Sequence, residues 1–89
     1  MVLVGWCVYI VKCADGTLYT GATNALAARV AKHNAGRGAK YTRSRRPVVL
    51  VWQRRVVDRS RALSLEHAIK GLTRKEKLAL LRKRRRTQG

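Results

Sequence analysis

The sequence predicts an α+β fold, a small three-stranded antiparallel sheet flanked by three helices in the order ββαβαα. Three observations lead there. Residues 6–13, WCVYIVKC, and 48–55, VVLVWQRR, are rich in β-branched and aromatic types, and TLYTG at 17–21 reads as a strand returning from a turn. Helix start and stop signals recur between and after these runs, at Asn24 and Gly36, at Ser60 and Gly71, and at Thr73. Finally, 89 residues leave room for one core, so one small sheet packed by helices is the simplest architecture. The domain is placed at residues 1–81, with a basic tail at 82–89.

The elements follow in order. Ala14-Asp15-Gly16 joins the first two strands as a three-residue loop, a type that combines a type I turn with a left-handed glycine. Cys13 then pairs with Thr17 and Val11 with Tyr19. Tyr9 and Tyr19 become diagonal neighbours on one face, about 7–8 Å apart at Cα. A two-residue loop would put them on opposite faces. Asn24 is a candidate cap for a first helix running to about Asn34, with Gly36 as its stop. Residues 36–46, GRGAKYTRSRR, read as a basic, glycine-containing loop, and Pro47 opens the third strand. The second helix runs from about Ser60 to Lys70. The third starts at the capping box Thr73-Arg74-Lys75-Glu76 and continues into RKRRR.

Charge is the loudest signal of function. Lys and Arg number 21 against 4 Asp and Glu, a formal net charge of +17, and 46% of the residues are apolar, as in a globular protein. Nucleic acid is the commonest partner for such a chain. A basic surface that serves only solubility is the weaker reading, because self-repulsion works against the compact state. No apolar run can span a bilayer and no signal peptide is evident, so a membrane is not expected. Cys7 and Cys13 lie about 20 Å apart along one strand, too far for a disulfide and at no zinc spacing. Reduced, packed cysteines suit the cytoplasm.

Chemistry-bearing residues are sparse. Two tyrosines on one face are more often packing than chemistry. Arg29 and His33, four apart, share a helical face. That face is either simply solvated, or one where Arg29 clamps a phosphate and His33 binds phosphate or passes a proton. Of the four acids, Asp15 sits in a turn, Asp58 precedes the second helix and can cap it, and Glu76 completes the capping box. Glu66 has no such role. It falls about 40° from Ala62, at the edge of the stripe formed by Ala62, Leu65, Ile69 and Leu72. A carboxylate there needs a partner, either an internal Arg or Lys or a hard divalent ion such as Mg²⁺.

Taken together these residues resemble the GIY-YIG nucleases, named for two short motifs on the strands of a hairpin. Here the motifs are Cys7-Val8-Tyr9 and Tyr19-Thr20-Gly21. An arginine in the first helix, a histidine or tyrosine one turn later and a glutamate in a later helix complete the pattern, matched by Arg29, His33 and Glu66. The segment HNAGRGAKYTRSRRPVVLV resembles the small single-domain bacterial branch, and the likeness covers roughly residues 5 to 81. Cys7 stands in place of the motif glycine and Thr20 in place of the motif isoleucine.

The resemblance implies a DNA endonuclease, nicking or structure-specific, acting in repair or recombination. Glu66 would hold one divalent ion, Mg²⁺ with Mn²⁺ as the alternative, and Arg29 would neutralise the scissile phosphate. Tyr9 would be general base, helped by nearby cations or the metal because a phenol has a pKa near 10. Tyr19 would orient water or a phosphate oxygen, and His33 would assist proton transfer or grip phosphate. Tyr41 would join the site or stack on a base. Many members take target selection from an attached DNA-binding domain. Here Lys40, Arg43, Arg45 and Arg46 of the loop and Arg82, Lys83, Arg84, Arg85 and Arg86 of the tail are the candidate contacts, with a protein partner as a further means of targeting. The alternatives are a non-catalytic nucleic-acid-binding module and an RNA- or ribosome-associated basic protein.

Overall fold

Seven elements make up the computed structural model, which describes residues 5–88, with side chains described over 5–82. They are β1 (Trp6–Lys12), β2 (Leu18–Thr23), α1 (Leu26–Asn34), α2 (Lys40–Arg43), β3 (Val49–Val56), α3 (Arg59–Lys70) and α4 (Arg74–Gln88). The three strands form one antiparallel sheet in the order β2-β1-β3, as expected. Among the described residues no helix is long and apolar enough to cross a membrane.

The middle strand is buried on both faces, which is why it reads as an almost unbroken apolar run. Val8 and Ile10 pack with Trp52, Ala62 and Ile69 in a core closed by leucines of α3 and α4. Tyr9 and Val11 pack on the other side with Cys13, Val48 and, from α1, Leu26 and Val30. Each fully buried aliphatic side chain contributes about 1.5–3 kcal/mol, and the two layers stabilise a sheet too small to stand alone. Both cysteines are free and buried.

The hairpin has the expected register. Val11 lies opposite Tyr19 and Tyr9 opposite Gly21. Gly16 has φ +86°, and the Cys13 N–H donates to the Thr17 carbonyl at 2.8 Å. Asp15 locks the turn by accepting from the Thr17 N–H at 3.1 Å and hydroxyl at 2.6 Å. The Asp58 carboxylate caps α3 through the Arg61 N–H at 2.9 Å, and Thr73 and Glu76 make both bonds of their capping box.

Two expectations need correction. Asn24 is not a cap: Ala25 holds that position, without a side-chain cap, and the Ala25 N–H is taken by the Thr23 hydroxyl at 3.0 Å. Residues 36–46 are not wholly loop, because α2 forms one turn within them. Four residues are far too few for a helix held by its own bonds. This one is pinned by Thr42, fully buried beneath it. Gly36 does end α1 in the left-handed region, at φ +82°.

Candidate active site

The hairpin arithmetic places Tyr9 and Tyr19 on the face that α1 covers, and both rings meet His33 edge-on, with centroids 5.9 and 5.4 Å away. His33 is 0% exposed and Tyr9 1% exposed. The Tyr9 hydroxyl lies 2.8 Å from His33 Nε2, and His33 Nδ1 lies 2.8 Å from the Thr42 hydroxyl. The Thr42 hydroxyl also reaches the Ala39 carbonyl at 3.0 Å. A continuous polar chain thus runs from β1 through α1 to α2 inside an otherwise apolar layer. Buried polar groups are costly unless paired, and here each finds a partner.

Two glycines make this packing possible. A Cβ on Gly21 would collide with the Tyr9 hydroxyl, and one on Gly38 with the His33 ring. Gly21→Ala is therefore expected to lower stability by about 1–3 kcal/mol. That corresponds to a melting point lower by at least about 4 °C for a domain of this size. A calorimetric melt checks it; an unchanged midpoint would mean that Tyr9 can move aside freely.

Burial is the main influence on both titrating groups. It pushes the Tyr9 phenol above its ordinary value, with the neighbouring Arg29 guanidinium pulling the other way and Tyr19 and Glu66 adding to the rise. Burial and then the charge of Arg29 hold the His33 imidazolium below the ordinary histidine value. At neutral pH the resting pair is a phenol and a neutral imidazole. Arg29 is the partly exposed cation beside them.

Glu66 reaches the same neighbourhood from α3, which packs mainly on the other side of the sheet. Its side chain is 18% exposed, and its carboxylate pairs with the half-exposed Lys70 at 3.0 Å. Lys70 Nζ also stands 5.8 Å from the Tyr19 ring centroid. The internal partner weighed for Glu66 is therefore present. Among the described residues no three His, Cys, Asp or Glu side chains gather as a metal cluster. The donor set fits a hard ion that takes one carboxylate oxygen and completes its shell with water and substrate phosphate, as Mg²⁺ does. It does not fit a structural metal. The Lys70 ammonium marks Glu66 Oε2 as a place where a cation rests.

Tyr41 lies at the rim, 38% exposed, stacked on Tyr19 with centroids 5.8 Å apart and an interplanar angle of 22°. The Arg45 guanidinium sits 4.0 Å from its centroid, so a stacking base would compete with Arg45 for the ring. Arg45 also bonds the Asp15 carboxylate at 3.0 Å and the Tyr41 carbonyl at 2.8 Å, and Arg46 bonds the Arg43 carbonyl at 2.9 Å. These two arginines are partly committed to scaffolding. Lys40, Arg43 and Arg82 are exposed. The side chains of Lys83, Arg84, Arg85 and Arg86 lie outside the described residues.

Sequence reasoning missed Thr42, Gly38 and Lys70. Lys70 had a readable signal, its i,i+4 spacing from Glu66. Thr42 and Gly38 had none, since neither lies in a periodic segment.

Comparison with known proteins bears on the family and the fold. A family model described as the GIY-YIG catalytic domain matches residues 5–79. A UPF0213 protein of Staphylococcus haemolyticus is 53% identical over 77 residues, covering 86% of this chain and 94% of the relative. A UPF0213 protein of Staphylococcus aureus strain N315 is 56% identical over the same shares. The solution NMR structure of a UPF0213 protein from Bacillus halodurans superposes with a TM-score of 0.57 at 40% identity, covering 86% of this chain and 82% of that one. The solution NMR structure of a protein from E. faecalis gives 0.61 at 38% identity, covering 89% and 84%.

Proposed function

The chain belongs to the GIY-YIG family, and on that premise we propose that it is a metal-dependent DNA endonuclease, nicking or structure-specific, that serves repair or recombination in the cytoplasm. The observation that carries this reading is the meeting of Tyr9, His33, Arg29, Tyr19 and Glu66, drawn from β1, β2, α1 and α3, around one phenol.

Phosphodiester hydrolysis needs a proton taken from water and a place for negative charge on phosphate. Arg29 answers the second need, since its planar fork of donors suits phosphate oxygens. The first falls to Tyr9. A resting phenolate is disfavoured because burial raises the phenol's pKa. Tyr9 therefore takes a proton from water only as it hands its own to His33 Nε2, 2.8 Å away. His33 is too buried to grip phosphate, which leaves it the proton-transfer role. Arg29 bonds the phenol in the resting protein, so its engagement with phosphate would free the phenol oxygen for water. Tyr19, on the same face but partly exposed, orients the water or a phosphate oxygen.

Glu66 would hold a Mg²⁺ or Mn²⁺ ion, which when bound polarises the scissile phosphate and stabilises the leaving oxygen. With such an ion bound, Lys70 would release Glu66 and its ammonium would be available to the substrate.

Binding itself is electrostatic. Lys40, Arg43 and the basic end of α4 track the backbone, and a protein partner supplies further targeting. If about six phosphates are engaged, log affinity falls with log salt at a slope of about −5. Anisotropy titrations between 50 and 200 mM salt, roughly the range over which such slopes are read, check this; a flat response would refute an electrostatic footprint. The reading as a whole is tested by nicking of supercoiled plasmid and branched DNA, with cleavage expected in Mg²⁺ and none in EDTA. Binding without cleavage on every substrate would favour a non-catalytic module.

A further inference from the structure

The Thr42 hydroxyl makes two contacts but carries one proton. The Ala39 carbonyl, 3.0 Å away, can only accept. If the hydroxyl donates to it, Thr42 Oγ1 is left as an acceptor facing His33 Nδ1 at 2.8 Å. Nδ1 then carries the imidazole proton, and Nε2 turns a free lone pair to the Tyr9 hydroxyl. Every proton in the chain has an acceptor. The opposite tautomer turns the Thr42 proton to Nδ1 and leaves the Thr42 and Ala39 oxygens 3.0 Å apart with no proton between them. One contact points the other way: the Ala39 N–H approaches Nδ1 at 3.4 Å. That is beyond the ordinary range for an N–H donor, so it is the weaker of the two.

We infer that Thr42 is a positioning residue that fixes His33 as the Nδ1–H tautomer and so makes Nε2 the acceptor of the Tyr9 proton. The inference deepens the nuclease reading and rests on it for its consequence in catalysis, while the tautomer itself can be measured without any cleavage. The one-turn helix α2 thereby acquires a purpose: it carries Thr42 to the inner end of the chain. The groups facing His33 are Tyr9 from β1, Tyr19 from β2, Arg29 from its own helix, Thr42 from α2 and the N–H of Ala39 just before α2. Glu66 on α3 acts on Tyr9.

The test is long-range ¹H–¹⁵N correlation of the His33 ring in the wild-type protein, with Thr42→Val and Thr42→Ser alongside. The wild type should show a protonated Nδ1 and a pyridine-like Nε2 at neutral pH. Thr42→Val keeps the shape and removes the acceptor. It should populate the Nε2–H tautomer, lower single-turnover nicking roughly 100-fold and distort the acid limb of the pH–rate profile. Thr42→Ser should restore tautomer and rate. A protonated Nε2 in the wild type overturns the inference, whether or not Thr42→Val folds. So does a folded Thr42→Val that keeps the wild-type tautomer and pH profile. Absence of nicking by every form, with the Nδ1–H tautomer intact, would instead remove the nuclease reading.

Discussion

Glu66→Gln is expected to abolish metal-dependent cleavage while leaving DNA affinity equal or slightly tighter. Glutamine keeps the shape but loses the charge that draws a hard cation. The stabilisation of phosphoryl charge by a bound ion amounts to several kcal/mol, so the loss should reach at least about 100-fold in rate. Folding should survive. The ion pair that Glu66 makes is with Lys70, whose side chain is 50% exposed, and a pair so open to solvent contributes no more than about 1 kcal/mol. Freeing Lys70 and removing a negative charge both favour phosphate, hence the unweakened binding. The competing account is that Glu66 exists only to hold Lys70. It predicts a variant that melts slightly lower and nicks at the wild-type rate, and a thermal melt with a parallel nicking assay separates the two.

Tyr9→Phe should be nearly as damaging, by a different route. The ring stays in its place against Gly21, and only the hydroxyl goes. Water then has no phenol to receive its proton, and a loss of about 10²- to 10⁴-fold is expected in single-turnover cleavage. His33 Nε2 is left buried without its partner, which costs about 1–3 kcal/mol of stability. Affinity for DNA should not change, because the lost hydroxyl is bonded inward to His33. Cleavage at the wild-type rate would hand the base role to another group, Tyr19 being the next phenol on that face.

Much of this site could be read from the sequence because its logic is local. A three-residue turn with one left-handed glycine settles which face Tyr9 and Tyr19 share. A capping box, one capping aspartate and one turn aspartate account for the acids that would otherwise compete with Glu66. What stayed hidden depends on contacts distant in sequence. His33 forms a polar pair with Arg29 and reads as solvated, yet it follows Leu26 and Val30 on the packed side of α1 and is sealed because Gly38 lets the backbone pass against its ring. The helix α2 has no apolar period and exists through one buried threonine nine residues from the histidine it bonds. Asn24 has the right chemistry for a cap, but the neighbouring Thr23 hydroxyl takes the Ala25 N–H and the helix begins at Leu26. Lys70 was one cation among 21, and only the helix spacing singled it out as the partner of Glu66.

The central claim is that Tyr9 and Glu66 serve one reaction at one site. Single-turnover nicking of supercoiled DNA in Mg²⁺, at equal fractions of DNA bound, tests it with four proteins: wild type, Tyr9→Phe, Glu66→Gln and the double variant. Groups that act as a unit are strongly non-additive, so the double variant should be no slower than the slower single variant within about threefold. Losses that multiply would show that the two residues act independently, and a double variant that nicks like the wild type would end the case for this site.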